Sequence, residues 1–223
     1  MRIKLLLIFS LLFLKSCSPL KNNADAIVEP YKLTEEQSSI LQMTPFQEGD
    51  SMFYSVTLKN EKDKIHAIID YYQNGKKTNV IANIATSHFQ EKKVKLSFLP
   101  PQSQLDKDVQ VQKHWYVNIE GSSMLAPEEA PPIINSSTST STTLQSAINL
   151  TYNQKTTLAA IIKTNKETVR IPMLEEKTAI EQLLQENEHV YLFSIELKKN
   201  TKAEMQYNCI SALVFNEVYF LTN

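Results

Sequence analysis

Glycine is nearly absent. The 223 residues contain three, at positions 49, 75 and 121. A dinucleotide-binding fingerprint or a P-loop needs closely spaced glycines so that backbone amides can approach phosphate. A G-x-S-x-G nucleophile elbow needs two around its serine. None of these spacings exists here, so those three chemistries are excluded. Cysteine is also scarce, with only Cys17 and Cys209. A disulfide framework of several bridges is therefore excluded. Cys209 sits in an apolar stretch and reads as a small buried hydrophobe rather than a reactive thiol. No apolar run reaches the 18 or so residues that a spanning helix needs.

Basic charge is not in excess either. Formal net charge is −1. A nucleic-acid partner is not expected, because phosphate binding needs a basic surface. Lys76, Lys77, Lys92, Lys93 and Lys95 lie close in sequence and read as solvated strand edges. The four histidines, His66, His88, His114 and His189, are widely spaced and H-E-x-x-H is missing. No EF-hand loop is spelled out. Neither a metal nor a cofactor is expected, and no catalytic residue stands out. The pairs Glu128-Glu129 and Glu175-Glu176 read as solvated.

What is present begins with an export segment. Arg2 and Lys4 precede an uncharged decapeptide, Leu5 to Leu14. That length suits a signal h-region and is too short to cross a bilayer of about 30 Å. Leu14-Lys15-Ser16-Cys17 follows. It resembles the lipobox of bacterial lipoproteins, with Leu three before the Cys and a small residue at Ser16. Lys15 stands where that family has a small residue. The resemblance implies that residues 1–16 are removed and that Cys17 carries a diacylglycerol. It further implies an extracytoplasmic protein held at the bacterial membrane by lipid. Removal of Arg2, Lys4 and Lys15 leaves 20 basic against 24 acidic residues, a net charge near −4.

Residues 17–45 read as a polar tether with a short helix. Thr34 with Gln37 three residues on, and Glu35 and Glu36 between, is the spelling of a capping box. Pro45 would end that helix. Alternation then sets in at residue 51 and reads as strands. Segments near 51–58, 65–72, 77–85, 94–98 and 115–119 carry it. Asn74-Gly75 suits a hairpin turn with two positive φ angles. Residues 121–143 contain three prolines and the run Ser136 to Thr143; they read as a flexible loop. Beyond it, 147–152, 157–163, 168–171, 191–197, 205–210 and 212–221 read as strands. Thr178-x-x-Glu181 suggests a helix over about 179–187.

The expected fold is mainly β, an antiparallel sandwich of about ten strands with one or two short helices. Residues 46–223 form its domain, or two domains, 46–120 and 144–223. Paired aromatics nominate Tyr72, Trp115 and Tyr116 as ligand contacts on a strand surface. The expected function is non-catalytic binding of an envelope protein or glycan. The alternatives are an envelope hydrolase with a site assembled from distant acids or histidines, and a structural assembly lipoprotein.

Overall fold

The computed structural model describes residues 24–44, 51–101, 114–127, 138–171 and 173–200. Cys17, Cys209, the export segment, Glu128-Glu129 and the strands read at 205–210 and 212–221 lie outside the described residues.

Among the described residues eleven strands fold into two antiparallel sheets. The first sheet contains β1 (Ala26–Pro30), β2 (Met52–Leu58), β5 (Lys93–Leu99), β6 (His114–Ile119), β7 (Ser122–Pro127) and β9 (Ile148–Leu150), in the order β7-β6-β5-β2-β1-β9. The second contains β3 (Lys64–Gln73), β4 (Lys76–Thr86), β8 (Thr138–Thr143), β10 (Lys155–Thr164) and β11 (His189–Lys198), in the order β4-β3-β11-β10-β8. Each sheet contains strands from before and after residue 130, so the described residues build one sandwich.

Period-two alternation places Val56, Val94, Leu96, Phe98, Trp115, Val117 and Ile119 of the first sheet inward. They meet Ile65, Ile69, Tyr71, Tyr191, Phe193 and Ile195 of the second in one apolar core. β11 is apolar on both faces, because a second layer covers it. Helix α2 (Lys177–Glu186) lies on the outer side of the second sheet. There Leu183 and Leu174 pack on Ala160, Ile162, Val190 and Leu192. The Asn74-Gly75 turn has φ of 50° and 77°, as the hairpin spelling requires. A Cβ at Gly75 would stand 3.5 Å from the Leu184 carbonyl oxygen, so the hairpin tip rests on the end of α2.

Four expectations are corrected. Residues 26–30 belong to no tether: β1 pairs with β2 on one side and β9 on the other, and Val28 is fully buried. Its three apolar residues suffice because neighbours supply the rest of the layer. The 121–143 segment is not one long loop, since it supplies β7 and β8. Threonine is β-branched and forms strand readily once a partner strand is offered. Residues 168–171 form no strand; Val169 instead packs beside α2. That helix starts at Lys177 with Glu176 as a cap that makes no side-chain bond, so the Thr178 box is unused. By contrast helix α1 (Glu35–Gln42) uses the Thr34/Gln37 box in both directions. It ends three residues before Pro45.

Candidate functional site

The open edge of the second sheet is the surface with the clearest capacity to bind. A sheet edge offers unpaired N–H and C=O groups to any extended chain. Three of the four edges here are blunted. β9 is three residues long. β4 has two irregularities in its pairing with β3, begins at Lys76-Lys77, and touches β7 through a bond from the Ser122 hydroxyl to that of Thr86 at 3.2 Å. β7 ends at Pro127 and is covered by that same contact. β8 has none of these protections. It runs Thr-Ser-Thr-Ser-Thr-Thr without charge, proline or bulge, and among the described residues pairs only with β10, from Thr143↔Ala159 to Thr138↔Thr164.

A recess of about 240 Å³ opens beside it, lined by Ser51, Met52, Ser141, Thr142, Thr143, Gln145 and Ile171. Three consecutive β8 residues line it, so it faces the strand's edge rather than one side of the sheet. Thr143, which lines it, meets the buried Tyr54. The Tyr54 hydroxyl donates to the Leu158 carbonyl at 3.0 Å and lies 2.5 Å from the Thr143 hydroxyl, which therefore donates to it. Burial pushes the Tyr54 phenol well above its ordinary pKa. Ile171 is more than half exposed and also lines a groove of about 330 Å³ along α2, together with Arg170, Met173 and Glu186.

The buried polar groups elsewhere are engaged in holding the fold. Asp70, on the outer side of β3, is fully buried. Lys155 reaches one carboxylate oxygen from β10, two strands away, and the Lys77 ammonium lies 2.8 Å from the other. Both ammonium ends stay partly solvated, at 37% and 45% exposure, so neither pair alone contributes much. Replacing Lys155 by Met should cost about 1 kcal/mol in urea denaturation. Removing Lys77 as well strands a buried carboxylate, and the loss should rise to about 3 kcal/mol.

One residue further along β3, on its inner face, the Tyr71 hydroxyl and His189 Nδ1 lie 2.6 Å apart, with the rings stacked and nearly parallel. Burial lowers the His189 pKa, the Lys163 charge lowers it further, and Glu188 opposes both. The unfolded imidazole therefore takes a proton at a higher pH than the folded one. Stability is full above the unfolded value of about 6.5. It falls as pH drops below that, by at most about 1.4 kcal/mol per pH unit for one group. Thermal melts from pH 7 to pH 5 should show this slope, and His189→Gln should flatten it.

The nominated aromatics do not form one surface. Trp115 is 1% exposed and packed in the core at a tilt against Tyr191 and Phe193, with ring centroids 5.0 and 5.6 Å away. It cannot meet a ligand, because inward alternation places it between the sheets. Tyr116 faces out from the first sheet opposite Leu99 and Leu125. Tyr72 is half-buried on the other sheet, packed at the α2 layer. Of the histidines, only His189 is buried. Among the described residues no three His, Cys, Asp or Glu side chains converge as metal ligands. No described helix is long and apolar enough to cross a membrane. The open edge escaped sequence reading because exposure of an edge depends on which strands pair. Its one local signal was the threonine content of the 138–143 run.

A family model for the YgaN domain matches residues 27–197. The chain belongs to the YgaN domain family. The match begins inside β1 and ends inside β11, so the YgaN domain here coincides with the whole sandwich, β1 and β8 included. No curated protein and no solved structure matches the chain.

Proposed function

We propose that this protein is a lipid-anchored, extracytoplasmic interaction module that binds an extended segment of a partner envelope protein along β8. The observation that carries the reading is that β8, alone of the four sheet edges among the described residues, is unprotected and uncharged, beside a recess to which Met52 and Ile171 add apolar surface among five polar residues. In strand addition, main-chain hydrogen bonds supply affinity and pockets beside the edge select side chains. The recess between Met52 and Ile171 takes one small apolar side chain of the incoming segment. Cys17 provides the anchor through its diacylglycerol, on the strength of the Leu14-to-Cys17 spelling. Anchoring at the envelope raises the local concentration of partners there, so a modest edge contact suffices.

The test places a photoreactive side chain at position 142, and at Asn149 of the blunted β9 edge as control. A single defined adduct should form in cells from 142 alone and vanish when Ser141→Pro is added. Equal adducts from both positions, or an adduct indifferent to the proline, would sink the reading. The Tyr71–His189 contact favours one alternative, an envelope hydrolase using His189 as a base. A cell-envelope substrate turned over by the purified protein, with His189→Gln inactive at unchanged stability, is the result that would establish it.

A further inference from the structure

We propose that the end of the sandwich where β1 begins rests on an anionic phospholipid surface. The antiparallel order brings five features to that end: the turns after β2, β4, β6 and β9, and the end of β11. Backbone bonds knit them together. Lys59 N–H donates to the Asp25 carbonyl, Phe89 N–H to Glu61, Leu58 N–H to Lys92 and Asn153 N–H to Leu197. Lysines crowd this end: Lys59, Lys62, Lys92, Lys93, Lys155 and Lys199 are exposed there.

The carboxylates around them are turned to internal use. Asp63 is fully buried and accepts from the Tyr152 hydroxyl and the Asn60 amide. Asp25 accepts the Tyr152 amide, and Glu120 the Lys95 amide. Glu29, Asp70 and Glu196 pair with Lys93, Lys155 and Lys198. Lys59, Lys62, Lys92 and Lys199 have no carboxylate partner among the described residues; Asp25, Asp63 and Glu120 keep their charge but are turned toward neutral donors of the fold, and Glu61 and Glu91 stand among the lysines. At the far end, Glu35, Glu36, Glu186 and Glu188 offset Lys32, Lys76 and Lys166.

The chain also enters at the lysine-rich end. Seven residues separate Cys17 from Asp25, and the eight Cα-to-Cα steps between the two span at most about 29 Å fully extended. A lipid on Cys17 therefore holds this end, and no other, against the headgroups. The diacylglycerol carries two acyl chains and supplies the attachment, and a basic patch beside it adds attraction to anionic headgroups and sets the orientation. The orientation leaves β8, which runs up the side of the sandwich, clear of the lipid. This inference rests on the anchored reading above.

Residues 18–223 retain every described strand and helix and carry no acyl group, which makes them the probe for the surface itself. Co-sedimentation with phosphatidylcholine vesicles, with and without phosphatidylglycerol, should show binding only to the anionic vesicles and release in high salt. Replacing Lys59, Lys62, Lys92 and Lys199 by Glu should weaken that binding by roughly tenfold or more. The triple change Lys32→Glu, Lys76→Glu, Lys166→Glu at the far end should leave it intact. If the fourfold variant does not fold, Lys59→Gln with Lys62→Gln gives the same comparison. Equal affinity for both vesicles, or an equal loss in the far-end variant, overturns the proposal. Incorporation of labelled lipid at Cys17 is scored separately, so failure of the anchor and failure of the surface are distinguishable.

Discussion

Trp115→Ala should remove about 3–5 kcal/mol of stability, enough to unfold a domain of ordinary margin near body temperature. The indole lies on the inner side of β6, 1% exposed, between the Tyr191 and Phe193 rings of the opposite sheet. Truncation opens a cavity at the centre of the sandwich, where neither sheet can close on it without disturbing its own ladder. The indole N–H finds no acceptor in that core. Trp115→Phe should therefore cost far less, below about 1.5 kcal/mol, since it keeps much of the volume and removes an unsatisfied donor. Urea denaturation of both variants decides the matter. If Trp115→Ala unfolds at the wild-type midpoint and only loses a ligand, the residue belongs to a binding surface and its placement between the sheets is wrong.

Val28→Asp should be equally severe, with a loss above about 4 kcal/mol and no cooperative transition near room temperature. Val28 is fully buried in β1, paired to Val56 on one side and Ile148 on the other. A carboxylate there has no cation to meet and stands between two strands that need β1 to pair. Glu29→Gln, one residue on, should change stability by about 0.5 kcal/mol at most. Glu29 faces out to a half-solvated Lys93 at 3.4 Å. If residues 18–30 were only a tether, both variants would be silent in a thermal melt. The contrast between neighbours is thus a direct test of β1 as an interior strand.

The strand pattern was legible wherever one face of a strand meets the core and the other meets water. Lys93 to Leu99 is the clearest case: every second residue is buried and its neighbours carry lysine or serine. The Asn74-Gly75 turn and the Thr34 cap were legible because the chemistry that makes them is local. The helix over 177–186 was recognised from the Thr178-x-x-Glu181 spelling, although its start was misplaced because that capping box goes unused. A capping spelling states only that a bond is available, and the chain enters α2 at an angle that leaves Thr178 inside the helix.

The candidate surfaces were far less legible. The 138–143 run has no alternation of polarity, so its role as an edge strand followed only from β10 being there to pair with it. Asp70 and Lys155 are 85 residues apart in sequence, and Tyr71 and His189 are 118 apart. No spacing rule links such pairs.

The sequence by itself determined the class of the fold, the position of most strands and the absence of glycine-dependent phosphate chemistry. Those properties arise from period-two alternation and from backbone freedom at single residues, which act within a few positions of each other. Only the tertiary structure decided that β1 is interior, that Trp115 is core rather than surface, that β8 is the open edge among the described strands, and that the lysines of four separate segments share one end. Each depends on which strands become neighbours across the two sheets. That choice is made by burying both sheets' apolar faces at once, a condition on the whole chain that no local stretch expresses.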